Sequence, residues 1–185
     1  MNITRLIALG ALAATTLTAT SGTALAHADD EHRNDQQELD LTSAQRHQIR
    51  KSTRSFRNVD KALAAGYLPT DTCTALPGTG GMGYHSVNPA YIADGVIDPA
   101  RPEILVYHRD RSGRLRLGAV EYFAVDADQD LGTDGDRPSL MGHQFDGPMP
   151  GHETGMPVHY DLHAWVFTHN SAGDLAVWNP SVTCP

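Results

Sequence analysis

The stretch Glu103–Val125, EILVYHRDRSGRLRLGAVEYFAV, contains two apolar runs separated by the turn signal Ser112-Gly113. β-Branched and aromatic residues are frequent in both runs, which is typical of strands. Two such runs around a short turn predict an antiparallel hairpin with arms at Glu103–Arg109 and Leu115–Val125. We therefore expect a sheet built around this hairpin to form the centre of the domain.

The residues N-terminal to this stretch have a helical pattern between Leu41 and Gly66. Apolar residues recur there at helix-like spacing, namely Ile49, Phe56, Val59, Leu63 and Ala64. Thr42 or Ser43 can cap the start of the helix, and Gly66 can end it. Five basic residues between Arg46 and Arg57 predict a solvated helix face.

The residues C-terminal to the hairpin predict a second hairpin, with arms at His159–Thr168 and Leu175–Trp178. Between the two hairpins, 10 of the 26 residues from 132 to 157 are Gly or Pro, which excludes a regular helix or a central strand. The expected fold class is α+β, with an N-terminal helix packed on a mostly antiparallel β-sheet. An all-β, cupin-like barrel with a preceding helix is the alternative.

Residues 1–26 have the pattern of a secretory signal peptide. Arg5 precedes an apolar run from Leu6 to Ala14, and Ala24-Leu25-Ala26 fits a cleavage site. The hydroxyl-rich tract after the apolar run disfavours the alternative, a membrane anchor. Cleavage two residues later, after Ala28, fits the same rule.

The expected mature chain is secreted and has one domain. Residues 27–40 are polar and acidic and predict a disordered N-terminus, followed by a single domain over 41–185. Cleavage after Ala26 would expose His27 as a free N-terminal histidine, which can chelate copper. The formal net charge of −8 argues against binding nucleic acid or an anionic membrane.

Cys73 and Cys184 are the two cysteines of the chain. An even pair in an exported protein predicts a disulfide, here between the start of the domain core and the C-terminus. The alternative, that they are metal ligands, is weak because neither has the paired spacing of a zinc site.

Histidines are concentrated near the C-terminus, and half of the 10 lie in residues 143–169. The segment 147–165, GPMPGHETGMPVHYDLHAW, leads from a Pro/Gly loop into a predicted strand. Alternation along that strand places His159, Asp161 and His163 on one face. A polar sheet face with ordinary histidines is the alternative for this pair alone.

Residues elsewhere in the chain strengthen the prediction of a metal site. Histidine and carboxylate are the side chains that bind transition metals, and the predicted ligands are His85, Glu121, His152, His159 and His163. The set accepts one zinc or copper ion, or an iron ion. If one coordination position stays open, Glu153 is the predicted catalytic general base.

The expected function is therefore a secreted transition-metal-binding protein. A metalloenzyme acting on a small extracellular substrate is one form of it. A non-enzymatic metal carrier, or a ligand-binding module with structural histidines, is the alternative. Calcium is not expected, because the aspartate-rich run from Asp126 to Asp136 lacks the Gly at position six and the Glu at position twelve of an EF-hand loop.

Several motifs resemble those of an uncharacterised family of exported proteins from bacteria and fungi. They are GMGYHSVNP at 81–89, PEILVY at 102–107, VEYF at 120–123, the segment 147–165 and WNP at 178–180, together with FRNVDKA through AGY in the helical region. The motifs cover nearly the whole expected domain. The resemblance implies export but no activity. The chain also resembles cupins in ligand type, although the cupin H-x-H with a nearby Glu is missing.

Overall fold

The computed structural model of the protein describes residues 39–152 and 155–185. Most of the described chain forms a curled, half-barrel antiparallel sheet of six strands in the order β1-β2-β3-β4-β8-β7. These strands are β1 (Leu68–Leu76), β2 (Gly80–Val87), β3 (Ile104–Arg109), β4 (Leu115–Val125), β7 (Asp146–Met149) and β8 (His159–Ala164). β5 (Ser139–Leu140) and β6 (His143–Gln144) form a separate two-stranded ribbon. The predicted α+β class is confirmed.

The N-terminal helical region is interrupted rather than continuous. It consists of α1 (Ser43–Thr53), a 3₁₀ turn (Arg54–Arg57) and α2 (Val59–Ala64), and a further short helix, α3 (Pro89–Asp94), follows β2. The break falls at Asn58, whose side chain accepts from the backbone N–H groups of Asp60 and Lys61 and so starts α2. Thr42 caps α1 in a capping box.

The predicted packing of the helical region is partly right. Ile49 of α1 is buried in the main core, and Phe56 packs against that core. Leu63 is 45% exposed, and the buried position of α2 is Ala62 instead. The break at Asn58 begins a new helix, so spacing carried over from α1 correctly places Val59 against the core but wrongly places Leu63 and Ala64 there.

The central hairpin is confirmed, with β3 paired to β4 from Ile104↔Glu121 to Arg109↔Leu115. Alternate residues of these strands face opposite sides of the sheet. One side carries Leu105, Val120 and Tyr122, which belong to the core shared with α1 and α2. The other side carries Glu121 and a smaller cluster that includes Val106 and Trp165.

The second predicted hairpin is wrong, because Leu175–Trp178 is not a strand. A strand has two edges, and those of β8 are already paired with β4 and β7. The C-terminal segment is held by other contacts: the Trp165 indole donates to the Ala176 carbonyl at 2.7 Å, and Asn179 bridges Gly81 of β2.

In the part of the Pro/Gly-rich region that the structure describes, the regular elements are the short strands β5, β6 and β7, and β7 lies at the edge of the large sheet. This agrees with the exclusion of a helix or a central strand there. The first hairpin of the sheet, β1–β2, was not predicted. Its glycines allow close strand contact: Gly83 has φ +109°, and a Cβ there would lie 2.2 Å from the Tyr107 carbonyl oxygen.

The predicted disulfide is confirmed. Cys73 of β1 is bonded to Cys184, 111 residues later, with the two Cα atoms 5.6 Å apart. The bond joins the edge strand β1 to the C-terminal segment. Disulfides of this kind persist in oxidising compartments.

The predicted signal peptide (1–26), residues 27–38 of the predicted disordered N-terminus and Glu153 lie outside the described residues. Within the described residues, the structure has no helix long and apolar enough to cross a membrane.

Candidate metal centre

The register of the sheet brings residues from three strands together on one face. Glu121 of β4 lies directly opposite His163 of β8, so the two side chains point the same way. His85 of β2 is in register with Val106 of β3, which in turn pairs with Ala119. Ala119 is two residues before Glu121 and shares its face, so His85 projects from the neighbouring row of the same surface.

The side chains converge on one carboxylate oxygen. Glu121 Oε2 lies 3.2 Å from His85 Nε2 and 3.5 Å from His163 Nε2. One ligand atom from each of His85, Glu121 and His163 can be chosen so that all three lie within 4.8 Å of one another. Among the described residues, this group could hold a metal ion.

The cluster lies largely out of contact with solvent. The side chains of Glu121 and His163 are 5% and 0% exposed, and that of His85 is 15% exposed. Access from solvent is therefore through the His85 side of the cluster.

The electrostatics of the metal-free cluster are dominated by attraction between the carboxylate and the imidazoles. Burial alone would raise the pKa of Glu121, but His163 and His85 outweigh it and lower that pKa to about 2. Burial alone would lower the pKa of His163, but Glu121 and Asp161 outweigh it and raise that pKa to about 9. The metal-free cluster therefore holds a proton on His163 at neutral pH.

The protein does not satisfy the polar atoms of this cluster. Although the ion-pair distances are short, Glu121 Oε2 and both ring nitrogens of His163 have no well-aligned hydrogen-bond partner among the described residues. Unpaired buried polar atoms cost free energy, and most native structures avoid them. A cation bound between Glu121 and the two imidazoles would satisfy Glu121 Oε2 and one ring nitrogen of His163.

Asp161 lies beside His163 on the same face of β8, with its Oδ1 3.6 Å from His163 Nδ1. If His163 Nε2 faces a metal, Nδ1 is the atom available to a supporting carboxylate. Such a partner fixes the orientation and tautomer of a ligating histidine. Asp161 is therefore placed to orient His163.

His159 is on the same strand and the same face, but it is not part of the three-residue group. It is four residues before His163, a separation of about 13 Å along a strand. Its Nδ1 donates to the Pro157 carbonyl at 3.0 Å, and its Nε2 is buried without a hydrogen-bond partner among the described residues. Its ring stacks on Phe123, with 4.7 Å between centroids.

His152 is exposed, and its ring contacts that of His159, with centroids 5.3 Å apart. Of the five predicted ligands, the structure therefore brings three together and places the other two as a neighbouring pair. His85 lies on β2, a strand that was not predicted. The sequence therefore identified His85 as a possible ligand from its residue type, but it did not predict the strand that places His85 beside Glu121 and His163.

A surface cavity of about 620 Å³ lies elsewhere, beside α1 and the 3₁₀ turn. Its lining includes Arg50, Arg54 and Phe167, and the Arg50 guanidinium is 5.6 Å from the centre of the Phe167 ring. α1 packs on the opposite side of the sheet from Glu121. The cavity is therefore separate from the metal centre.

The fold and the cluster together define an α+β protein with a candidate metal centre on one face of its sheet. No protein-family model, curated protein or solved structure matches the chain.

Proposed function

We propose that this is a secreted transition-metal-binding protein that holds one zinc or copper ion through His85, Glu121 and His163. The observation that carries the proposal is the convergence of two imidazoles on one buried carboxylate, where Glu121 Oε2 and the ring nitrogens of His163 have no hydrogen-bond partner among the described residues. A nitrogen-rich ligand set with one carboxylate suits zinc or copper, and iron also accepts it.

Three protein ligands leave a fourth position of a tetrahedral ion available. An exchangeable water there is the arrangement of catalytic zinc sites, in which the metal lowers the pKa of the bound water. In this form the protein is a metalloenzyme acting on a small extracellular substrate that enters past His85. The catalytic role proposed for Glu153 rests on the sequence alone.

The burial of the cluster favours a second function, a metal carrier or a module with a structural metal. With His163 fully buried and Glu121 nearly so, little space faces solvent. In this form a further ligand closes the coordination shell and leaves no position for an exchangeable water.

Elemental analysis tests the proposal on the full chain, expressed with its own export signal and without a polyhistidine tag. We expect close to one transition metal per chain. His85→Ala, Glu121→Gln and His163→Ala should each lose most of it. The matched control is His169→Ala, which removes an exposed imidazole outside the three-residue group and should retain the metal. Metal-free wild-type protein that cannot be reloaded would refute the proposal.

Cobalt substitution separates the two functions. The visible spectrum of the Co²⁺ protein should change when azide is added if the fourth position holds an exchangeable water. An unchanged spectrum indicates a closed shell and favours the carrier or structural role.

A further inference from the structure

The carboxylate of Asp126 is buried without a partner, at the point where β4 ends. Asp126 is 0% exposed, and neither of its side-chain oxygens has a hydrogen-bond partner among the described residues. Its backbone is fully used: the N–H donates to the Val158 carbonyl at 3.0 Å, and its carbonyl accepts from the Gln129 side chain. The backbone hydrogen bonds thus fix the position of Asp126 independently of its carboxylate.

The groups that face this carboxylate are also acidic. Burial is the largest effect that raises the pKa of Asp126; the carboxylates of Asp128 and Asp136 raise it further, whereas the nearby backbone N–H of Asp128 lowers it. Asp136 is itself held in place, since its two oxygens accept from the Ala127 N–H and from the Tyr160 hydroxyl, each at 2.8 Å. Within the described chain, no Lys or Arg nitrogen lies within 4.0 Å of these three carboxylates.

A buried carboxylate facing another carboxylate is stable if it is protonated or if a cation lies between the two. The oxygen-only surroundings disfavour zinc and copper and favour a hard cation. Calcium tolerates irregular geometry and combines carboxylates with backbone carbonyls and waters, whereas magnesium requires a near-ideal octahedron. An irregular loop such as 126–136 therefore suits calcium better.

We propose that Asp126 and Asp136 form the base of a calcium site in the loop from 126 to 136, separate from the histidine cluster. The loop supplies further carboxylates from Asp128 and Asp130, whereas that of Asp134 pairs with the Arg137 guanidinium at 3.1 Å. Because the described residues do not bring three of these carboxylates within 4.8 Å of one another, part of the loop must move to complete the site. We therefore expect affinity in the range of extracellular calcium modules, a Kd of about 10⁻⁴–10⁻³ M.

The departures from an EF-hand pattern made calcium an unexpected ligand from the sequence. The sequence did not show that the side chain of Asp126 is buried. Five aspartates at alternate positions are common in exposed turns, but an exposed turn does not bury one of them unpaired.

Thermal melting and terbium luminescence test the proposal on chelator-treated full-length protein. A concentration of 10 mM CaCl₂ should raise the melting temperature by roughly 3–11 °C over that range of Kd, and the same concentration of MgCl₂ by much less. Terbium bound at the site should luminesce on tyrosine excitation, since the Tyr160 hydroxyl bonds to Asp136. Calcium should displace it.

Asp126→Asn should abolish both responses, whereas Asp71→Asn, an exposed aspartate of β1, should leave them unchanged. Glu121→Gln should also keep the calcium response, which separates this site from the proposed metal centre. Wild-type protein with no calcium-specific shift and no terbium signal would overturn the proposal and identify Asp126 as a protonated carboxyl. The wild-type measurement decides the question even if Asp126→Asn does not fold.

Discussion

The substitution Glu121→Gln tests the metal centre most sharply because it removes a charge with almost no change in shape. Glu121 Oε2 is the atom on which His85 and His163 converge, at 3.2 and 3.5 Å. Glutamine can occupy the same space, but its neutral amide is a much weaker metal ligand and cannot pair with a protonated imidazole. The variant should therefore differ from wild type in two measurable ways.

The first difference is in the metal-free protein. The pKa of about 2 for Glu121 and the pKa of about 9 for His163 arise largely from the same attraction between the two side chains, so the energies of the two shifts are not added. Removing one partner of a buried ion pair costs about 3–5 kcal/mol. We expect the metal-free variant to lose stability of this order at neutral pH, measured by urea denaturation.

The second difference is in the response to metal. At 100 times its Kd, a ligand that binds only the folded state adds about 2.7 kcal/mol to the free energy of unfolding. For a domain of this size, each kcal/mol shifts the melting temperature by about 2–4 °C. Zinc should therefore raise the wild-type melting temperature by roughly 5–11 °C. The variant should show little or no rise.

The assay is a thermal melt of chelator-treated protein with and without zinc, with His169→Ala as the control for loss of an exposed imidazole. A variant that keeps the full zinc-dependent shift would remove Glu121 from the site. A wild-type protein without any shift would refute the metal centre itself.

Three further predictions concern stability. Burial raises the pKa of Glu103 from 4.5 to about 7. Between these pH values the folded state keeps a proton that the unfolded state releases. The free energy of unfolding should therefore fall by roughly 2–3 kcal/mol as the pH rises from 4.5 to 7. Glu103→Gln should abolish that pH dependence in urea titrations, and an unchanged profile would contradict the assignment. Replacing Cys73 and Cys184 with serine should cost roughly 4–5 kcal/mol by the loop-entropy model, and reduced wild type should match the double variant. Gly83→Ala should lower the free energy of unfolding by more than about 2 kcal/mol, because the added Cβ would meet a β3 carbonyl oxygen. The control is Gly78→Ala, since Gly78 also has a positive φ but a Cβ there would meet nothing within 4 Å. Equal losses of stability in the two variants would refute the steric argument.

The central hairpin could be predicted because its information is local. Each arm of Glu103–Val125 has its own strand propensity, and Ser112-Gly113 marks the turn between them. The β1–β2 hairpin has weaker local signals, since its second strand contains Gly80, Gly81 and Gly83. Gly83 is required because β3 approaches closely, and Gly80 and Gly81 because the C-terminal segment does; these contacts are not visible in the residues themselves.

The prediction of the second hairpin was wrong for a related reason. Leu175–Trp178 has the composition of a strand, but both edges of β8 are occupied by β4 and β7. Whether an apolar run finds a free edge depends on the rest of the sheet. Local propensity cannot carry that information.

For the candidate site, the sequence determined which types of ligand are present, and the tertiary structure decided which residues come together. Histidine and carboxylate side chains in this number indicate a metal, and the even cysteine pair indicates a disulfide, because both inferences depend on residue type. Strand register then joins His85, Glu121 and His163, separates His159 by four residues along β8, and buries Asp126 beside other carboxylates. These outcomes depend on strand pairing between residues far apart in the chain. The energy of that pairing is distributed over the whole sheet, so it cannot be inferred from the residue at any single position.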